Sequence, residues 1–296
     1  DTDCTGSGGG GTGDMRNRTE DQMILAFIRH GETQANAQRR YLGKTDESLS
    51  ERGKQLLLLS CQKQHVYPQA DCLFCSPMKR CLETARILYP MLPPVVIPEW
   101  EEMDFGRFEY KNYEELKDDS AYRRWMDSGG TTAFPGGESR EAFVKRCKDG
   151  FQRMCGILWQ TQAEEQAERL PDKKADREQG GETDIGADRR TGIGAGGKTD
   201  GERREPVRAA AVVHGGVIMA LLSAYGSDGH KDYFDYQTAN GRGYLTRITY
   251  AKGSCGHGAG DAVPGAEDCR KENTAVQRLK EKEGETEIMI EDIKAL

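Results

Sequence analysis

Apolar positions along this chain concentrate in two stretches, residues 22–159 and 206–250, and thin out sharply elsewhere. The run MILAFI at 23–28 is short and is followed at once by Arg29, His30 and Gly31, the pattern of a buried strand that ends in a loop. CLFC at 72–75, PVVI at 94–97 and VRAAAVV at 207–213 predict three more strands, and the alternating stretch 243–250 predicts a strand near the sheet edge. Ser50 is placed to cap a helix that carries the apolar run 56–59. A second helix is expected over 78–89, stopped by Pro90, and a third over 113–126, ended by Gly129 and Gly130. After Pro135-Gly136-Gly137, the residues Phe143, Cys147, Phe151, Met154 and Leu158 recur at steps of three and four and predict a long amphipathic helix. A further helix is expected over 217–224.

Strands that alternate with helices predict an α/β fold, a three-layer α/β/α sandwich around a mainly parallel sheet. Ligands of such sheets sit beyond the carboxyl ends of the strands. Three chemically suggestive segments fall at such ends: Arg29-His30, residues 76–80, and His214-Gly215. The remaining chain is rich in Gly and charge. Residues 1–21 read as a disordered N-terminal segment, 161–205 as a low-complexity insertion that starts by extending the long helix, and 252–296 as a mostly disordered tail. One domain over 22–251, interrupted by the insertion, is therefore expected. Within the tail, Ile288, Met289, Ile290 and Ile293 are placed to form a short strand or one helical turn on the domain.

Charge and composition narrow the function classes. A formal net charge of -7 argues against a general nucleic-acid binder, although a few arginines can still make one pocket positive. No run of about 18 apolar residues is present, so no membrane span is expected. The nine cysteines have no repeating spacing, and Cys72 and Cys75 fall on a predicted buried strand, which reads as reduced thiols and not as a zinc or redox site. The expected compartment is the cytoplasm, and a homodimer through a sheet edge is compatible with the sequence.

His30 stands between Arg29 and a glycine that allows a tight turn, and His214 ends another strand before two glycines. Two histidines, Arg29, Arg80 and a carboxylate make up the parts of a phosphoryl-transfer site without metal. A neutral imidazole can attack phosphorus, arginines offset charge on the equatorial oxygens, and a carboxylic acid protonates the leaving oxygen.

Residues 29–33 read RHGET, 76–85 SPMKRCLETA, 135–139 PGGES and 212–216 VVHGG, and in that order they resemble the histidine phosphatase superfamily, the phosphoglycerate-mutase-like proteins. Asn36 follows at the spacing RHGETxxN. Residues 41–43 and 46–53 (DESLSERG) resemble the loop and helix start that follow. Residues 76–85 resemble SPxxRxxETA, 102–106 the acid-bearing loop, 135–139 the PGGES helix start, and 212–216 the second-histidine motif. The resemblance implies that His30 becomes phosphorylated and that Arg29, Arg80 and His214 hold the phosphoryl group, with Asn36 and the Gly215 amide as helpers. It makes Glu102 the proton donor, with Glu101 as a rival that the loop register leaves open. Glu32 is read as structural, and Ser76 as a residue that orients its loop and caps the next helix. No metal and no cofactor are implied.

Two departures stand out: Tyr110 occupies a position where the family frequently has Gly, which points to an altered pocket floor or rim, and Leu42 stands where a small hydroxyl residue is common. The implied activity is hydrolysis of a small phosphate monoester, in a branch that includes α-ribazole 5′-phosphate phosphatases. A phosphoglycerate mutase and a catalytically inactive scaffold are the competing readings. The first lacks a long basic segment after the acid loop, and the second is disfavoured because every expected group is present.

Overall fold

A computed structural model describes residues 21–63, 67–169, 206–227, 232–251 and 287–296 of the chain. Its centre is a six-stranded sheet in the order β3-β2-β4-β1-β5-β6. β1 (Asp21–Arg29), β2 (Cys72–Cys75), β3 (Pro94–Val96) and β4 (Val207–Val213) run parallel, and β5 (Gly243–Ala251) lies antiparallel to β1. β1 and β4 pair from Met23 with Val207 to Arg29 with Val213, which brings the ends of both strands level.

Two cores cover the two faces. On one, Leu25 and Phe27 of β1, Phe74 of β2 and Ala211 of β4 pack with the helices α6 (Arg140–Arg169) and α7 (Gly215–Tyr225). On the other, Ala26, Ile28, Leu73 and Val212 meet Cys81 and Ala85 of α3 (Lys79–Leu88). Successive strand residues thus enter opposite cores, which is why the parallel strands read as unbroken apolar runs. The three layers expected from the sequence are present. The α6 stripe is buried as its spacing predicts: Phe143, Cys147, Phe151, Met154 and Leu158 are all at most 1% exposed. Each such aromatic or long aliphatic side chain contributes roughly 1.5–3 kcal/mol by leaving water.

Some local expectations change. α2 (Glu51–Gln62) is capped by Ser50, whose side chain accepts the Gly53 N–H. Of its apolar run only Leu57 is buried, because one helical face takes one residue in every three or four. The helix expected over 113–126 is two, α4 (Tyr113–Leu116) and α5 (Ser120–Asp127), separated where the Asp119 carboxylate turns back to accept the Ala121 N–H at 2.7 Å. Such local side-chain bonds compete with a continuous helix. A single four-residue turn, α1 (Gln34–Ala37), follows β1.

The apolar residues near the end of the chain form a strand and not a helical turn. β6 (Glu287–Ala295) pairs antiparallel with β5, and Ile290 is fully buried. β5 lies one strand in from the edge, near it as its alternation suggests, and β6 forms the edge itself. Residues 287–296 belong to the same sheet as β1, so the domain reaches beyond 22–251. α6 likewise runs to Arg169, nine residues into the stretch read as low complexity. The segments 1–20, 170–205 and 252–286, on which the expectations of disorder fall, lie outside the described residues.

Candidate active site

β1 delivers Arg29 and His30 to the carboxyl edge of the sheet, and β4 delivers His214 beside them. The His30 N–H donates to the Val213 carbonyl at 2.9 Å, so the β1–β4 ladder itself sets the two histidines side by side. Their rings stand edge to face with centroids 5.2 Å apart. Both are buried, His30 at 3% and His214 at 0% exposure.

His30 Nδ1 lies 2.7 Å from the Gly31 carbonyl oxygen, which can only accept, so Nδ1 carries the hydrogen and Nε2 of the neutral ring keeps its lone pair. Burial pulls the His30 imidazole well below its ordinary range, with the Arg80 and Arg29 charges adding to it. His214 is lowered in the same way, by burial first and then by Arg80, His30 and Arg29. Its Nε2 lies 2.8 Å from Ser76 Oγ and 3.5 Å from Cys81 Sγ. Ser76 is thus a partner of His214. The N-cap of α3 is Met78, so Ser76 touches that helix only through a 3.4 Å bond from the Met78 N–H.

A half-buried guanidinium, Arg29, and a fully buried one, Arg80, flank His30. Arg29 donates to the Thr238 carbonyl at 2.6 Å, and Arg80 donates to the carbonyls of Gly43 and Thr45, both at 2.8 Å. Arg29 Nε and Arg80 Nε are buried with no protein partner. Unmatched buried donors are rare in folded proteins and mark polar groups with work outside the scaffold.

Glu102 points into the same region. Its carboxylate accepts the Met103 N–H at 2.9 Å and the Gly216 N–H at 3.2 Å. Burial raises its pKa; the Met103 N–H, Arg80, the Gly216 N–H and Arg29 oppose the rise. Its rival Glu101 does not line the cavity, and its carbonyl is held by Arg146.

A cavity of about 490 Å³ opens in front of these groups. Arg29, His30, Asn36, Glu102 and Gly215 all line it; Arg80 and His214, fully buried, stand just outside its wall. Asn36 is already engaged, with Oδ1 accepting from Thr33 N–H at 3.2 Å and from Asn240 Nδ2 at 3.0 Å. Aromatic side chains also line the cavity: Tyr41, Phe105, Trp125, Phe134 and Tyr233. Tyr110 is not part of it: the ring lies outside, under the Arg40 guanidinium, with its hydroxyl on Glu47 at 3.1 Å. The backbone there has φ +60°, which explains why glycine suits the position, so the departure concerns backbone conformation and not the pocket rim. Leu42 does line the cavity.

Three supporting residues were not anticipated. Arg146 of α6 donates to the carbonyls of Glu99, Glu101 and Glu102 and pairs with Glu138, so one side chain pins the whole acid loop. Its position three residues after Phe143, at the margin of the apolar stripe, was the available signal. Thr84 accepts the Gly31 N–H at 2.9 Å, giving the threonine of the 83–85 segment a part in shaping the His30 turn. Asn240 donates to the carbonyls of His30 and Gly31 from a loop with no periodic signal at all.

Known proteins extend the picture. Residues 25–160 match the family described as Histidine phosphatase superfamily (branch 1). The adenosylcobalamin/alpha-ribazole phosphatase of Escherichia coli (strain K12) is 32% identical over 139 residues, covering 45% of this chain and 66% of that one. Phosphoserine phosphatase 1 of Hydrogenobacter thermophilus is 34% identical over 142 residues, covering 46% of this chain and 65% of that one. The chain thus spans about two thirds of the length of these curated relatives. In fold, it superposes on the alpha-ribazole phosphatase of Shigella flexneri with a TM-score of 0.52 at 22% identity, covering 76% of this chain and 90% of that one. The family match ends at 160, and it is the sheet that carries His214 from beyond it to the side of His30. With its RHGET turn, its acid loop and its fold in agreement, the chain belongs to the histidine phosphatase superfamily.

Proposed function

We propose that this chain is a phosphatase that hydrolyses a small phosphate monoester through a phosphohistidine on His30. One observation carries the reading: a buried, neutral imidazole with a free Nε2 lines a cavity beside the unmatched N–H groups of two arginines and a buried carboxylate. His30 Nε2 attacks phosphorus and the bond to the ester oxygen breaks. Glu102, as the acid, gives its proton to the departing oxygen, and its raised pKa suits that task. Arg29, Arg80 and His214 offset the charge on the equatorial oxygens, assisted by the Gly215 amide and Asn36 from the cavity wall. Water then attacks the phosphohistidine, Glu102 takes up its proton, the P–N bond breaks and inorganic phosphate leaves. The arginines supply the positive charge, so the scheme needs no metal. Buried free thiols such as Cys75 and Cys155 suit the reducing cytoplasm.

The test is steady-state hydrolysis of a panel of esters with EDTA present, wild type against His30→Ala. The panel takes its leaving groups from the relatives, α-ribazole 5′-phosphate and phosphoserine, with p-nitrophenyl phosphate and the phosphoglycerates beside them. EDTA-resistant turnover that disappears in the variant is expected. Turnover that survives the substitution means another nucleophile, and rapid interconversion of 2- and 3-phosphoglycerate means a mutase.

A further inference from the structure

Arg140, the first residue of α6, stands where a cation is poorly placed, because the exposed N–H groups of a helix start favour negative charge. Glu141 shares the first turn of the helix, but no acid among the described residues pairs with Arg140. Glu138 is taken by Arg146 through two bonds of 3.0 and 2.8 Å. The guanidinium is nevertheless held in place. It lies over the rings of Tyr233 and Phe234, 4.8 and 5.0 Å from their centroids, and donates to the Gly129 carbonyl at 3.1 Å. A Cβ on Gly130 would come within 3.1 Å of Nη2, so the Gly129-Gly130 turn leaves the side chain its room.

Arg140, Tyr233 and Phe234 all line the cavity that holds His30. Of the other arginines on that wall, Arg40 is neutralised by Glu115 at 2.6 Å, and Arg39 is exposed to solvent. The cavity therefore has two cationic places: the paired arginines around His30, and a single guanidinium fixed on an aromatic platform.

We infer that Arg140 is a specificity-determining residue, binding a carboxylate carried by the leaving alcohol of the substrate. A planar guanidinium with free N–H groups suits a carboxylate through parallel hydrogen bonds. The platform holds it ready, with no ion pair to an acid among the described residues. The preferred esters are then phosphorylated hydroxy acids or amino acids, and esters of uncharged alcohols rank behind them. The inference rests on the proposal that the His30 end of the cavity takes the phosphate.

The experiment is calorimetric binding of two non-hydrolysable probes, benzylphosphonate and para-carboxybenzylphosphonate, to the wild type, Arg140→Met and Arg140→Lys. The wild type is expected to hold the carboxylated probe at least about tenfold more tightly, the equivalent of about 1.4 kcal/mol. Arg140→Met should bring the ratio near one, and Arg140→Lys, which keeps the charge but not the planar fork, should keep part of it. Equal affinities in the wild type, or a ratio unchanged in Arg140→Met, would overturn the inference. Failure of both probes to bind the wild type would overturn it together with the phosphate-site proposal, whereas loss of the carboxylate preference alone leaves that proposal standing.

Discussion

The Gly216 N–H donates to the Glu102 carboxylate at 3.2 Å, and a Cβ on Gly216 would lie 2.2 Å from Glu102 Oε1. The second glycine after His214 is thus the space in which the acid sits. Gly216→Ala should push Glu102 out of line and lower kcat by about 10²–10⁴-fold, the usual worth of a positioned acid. The loss should be larger for alkyl phosphates than for p-nitrophenyl phosphate, whose leaving group needs little protonation. An equal loss on both would mean that the substitution damages the phosphate end instead.

Ser76→Ala removes the hydroxyl 2.8 Å from His214 Nε2. His214 Nε2 is then left with the weak Cys81 contact. A buried polar group that loses its partner costs about 1–3 kcal/mol of stability, so the thermal midpoint should fall, and turnover with it as His214 loses its orientation. Phosphate labelling of His30 should survive, because Ser76 is not the nucleophile. If labelling at His30 vanished while the fold persisted, Ser76 would have to act on the phosphate directly.

Arg146→Met withdraws the clamp from the carbonyls of Glu99, Glu101 and Glu102 and leaves the largely buried Glu138 carboxylate unpaired. A charged group that loses its hydrogen bonds costs about 1.5–3 kcal/mol, so the thermal midpoint should drop. Activity should drop with it, since the loop that carries Glu102 loses its anchor. A variant with wild-type stability and turnover would show that the loop holds itself.

The pH profile follows from two opposite shifts. His30 is held below 6.5, so it stays neutral further into acid than a free imidazole does, and Glu102 is held above 4.5, so it keeps its proton further toward neutrality. For esters with poor leaving groups, kcat/KM should rise from the acid side as His30 loses its proton and fall on the alkaline side as Glu102 loses its own. Glu102→Gln should abolish the alkaline limb; a limb that remains belongs to another group.

Stability carries its own pH dependence. Both buried histidines have depressed values, so below 6.5 the unfolded chain binds protons that the folded chain refuses. The contribution is complete above 6.5 and is lost as the pH falls below it. Thermal unfolding should show a midpoint that declines on acidification, and the decline should be shallower in His30→Asn.

How much of this was legible beforehand depended on locality. The strand of 23–28, the stripe from Phe143 to Leu158 and the RHGET turn are written in neighbouring residues, and the structure repeats them. Asn240 was not legible, and Arg146 only by its place beside the apolar stripe, because these partners lie 204 to 210 and 44 to 47 positions away, and no period or motif spans such distances. Tyr110 shows a third case. A preference for glycine was noticed, but its cause, a backbone at φ +60°, needed coordinates. The break between α4 and α5 was missed for the opposite reason: the capping signal at Asp119 was local, and the helical pattern on both sides obscured it.

β6 has a consequence for how the molecule can be cut. It is joined to β5 only through residues 252–286, yet it pairs along most of the open side of β5, with a bulge between Leu245 and Arg247, and inserts Ile290 beneath the sheet. A break anywhere in that connection leaves a non-covalent pair, a large fragment and a short one held by a strand ladder. Removal of the short piece would bare a row of unpaired backbone groups on β5, ready to recruit any extended chain that offers the same ladder. Severed but not removed, the last ten residues would behave as a peptide ligand of the rest, and the same peptide, added in trans, would be the natural plug for that edge.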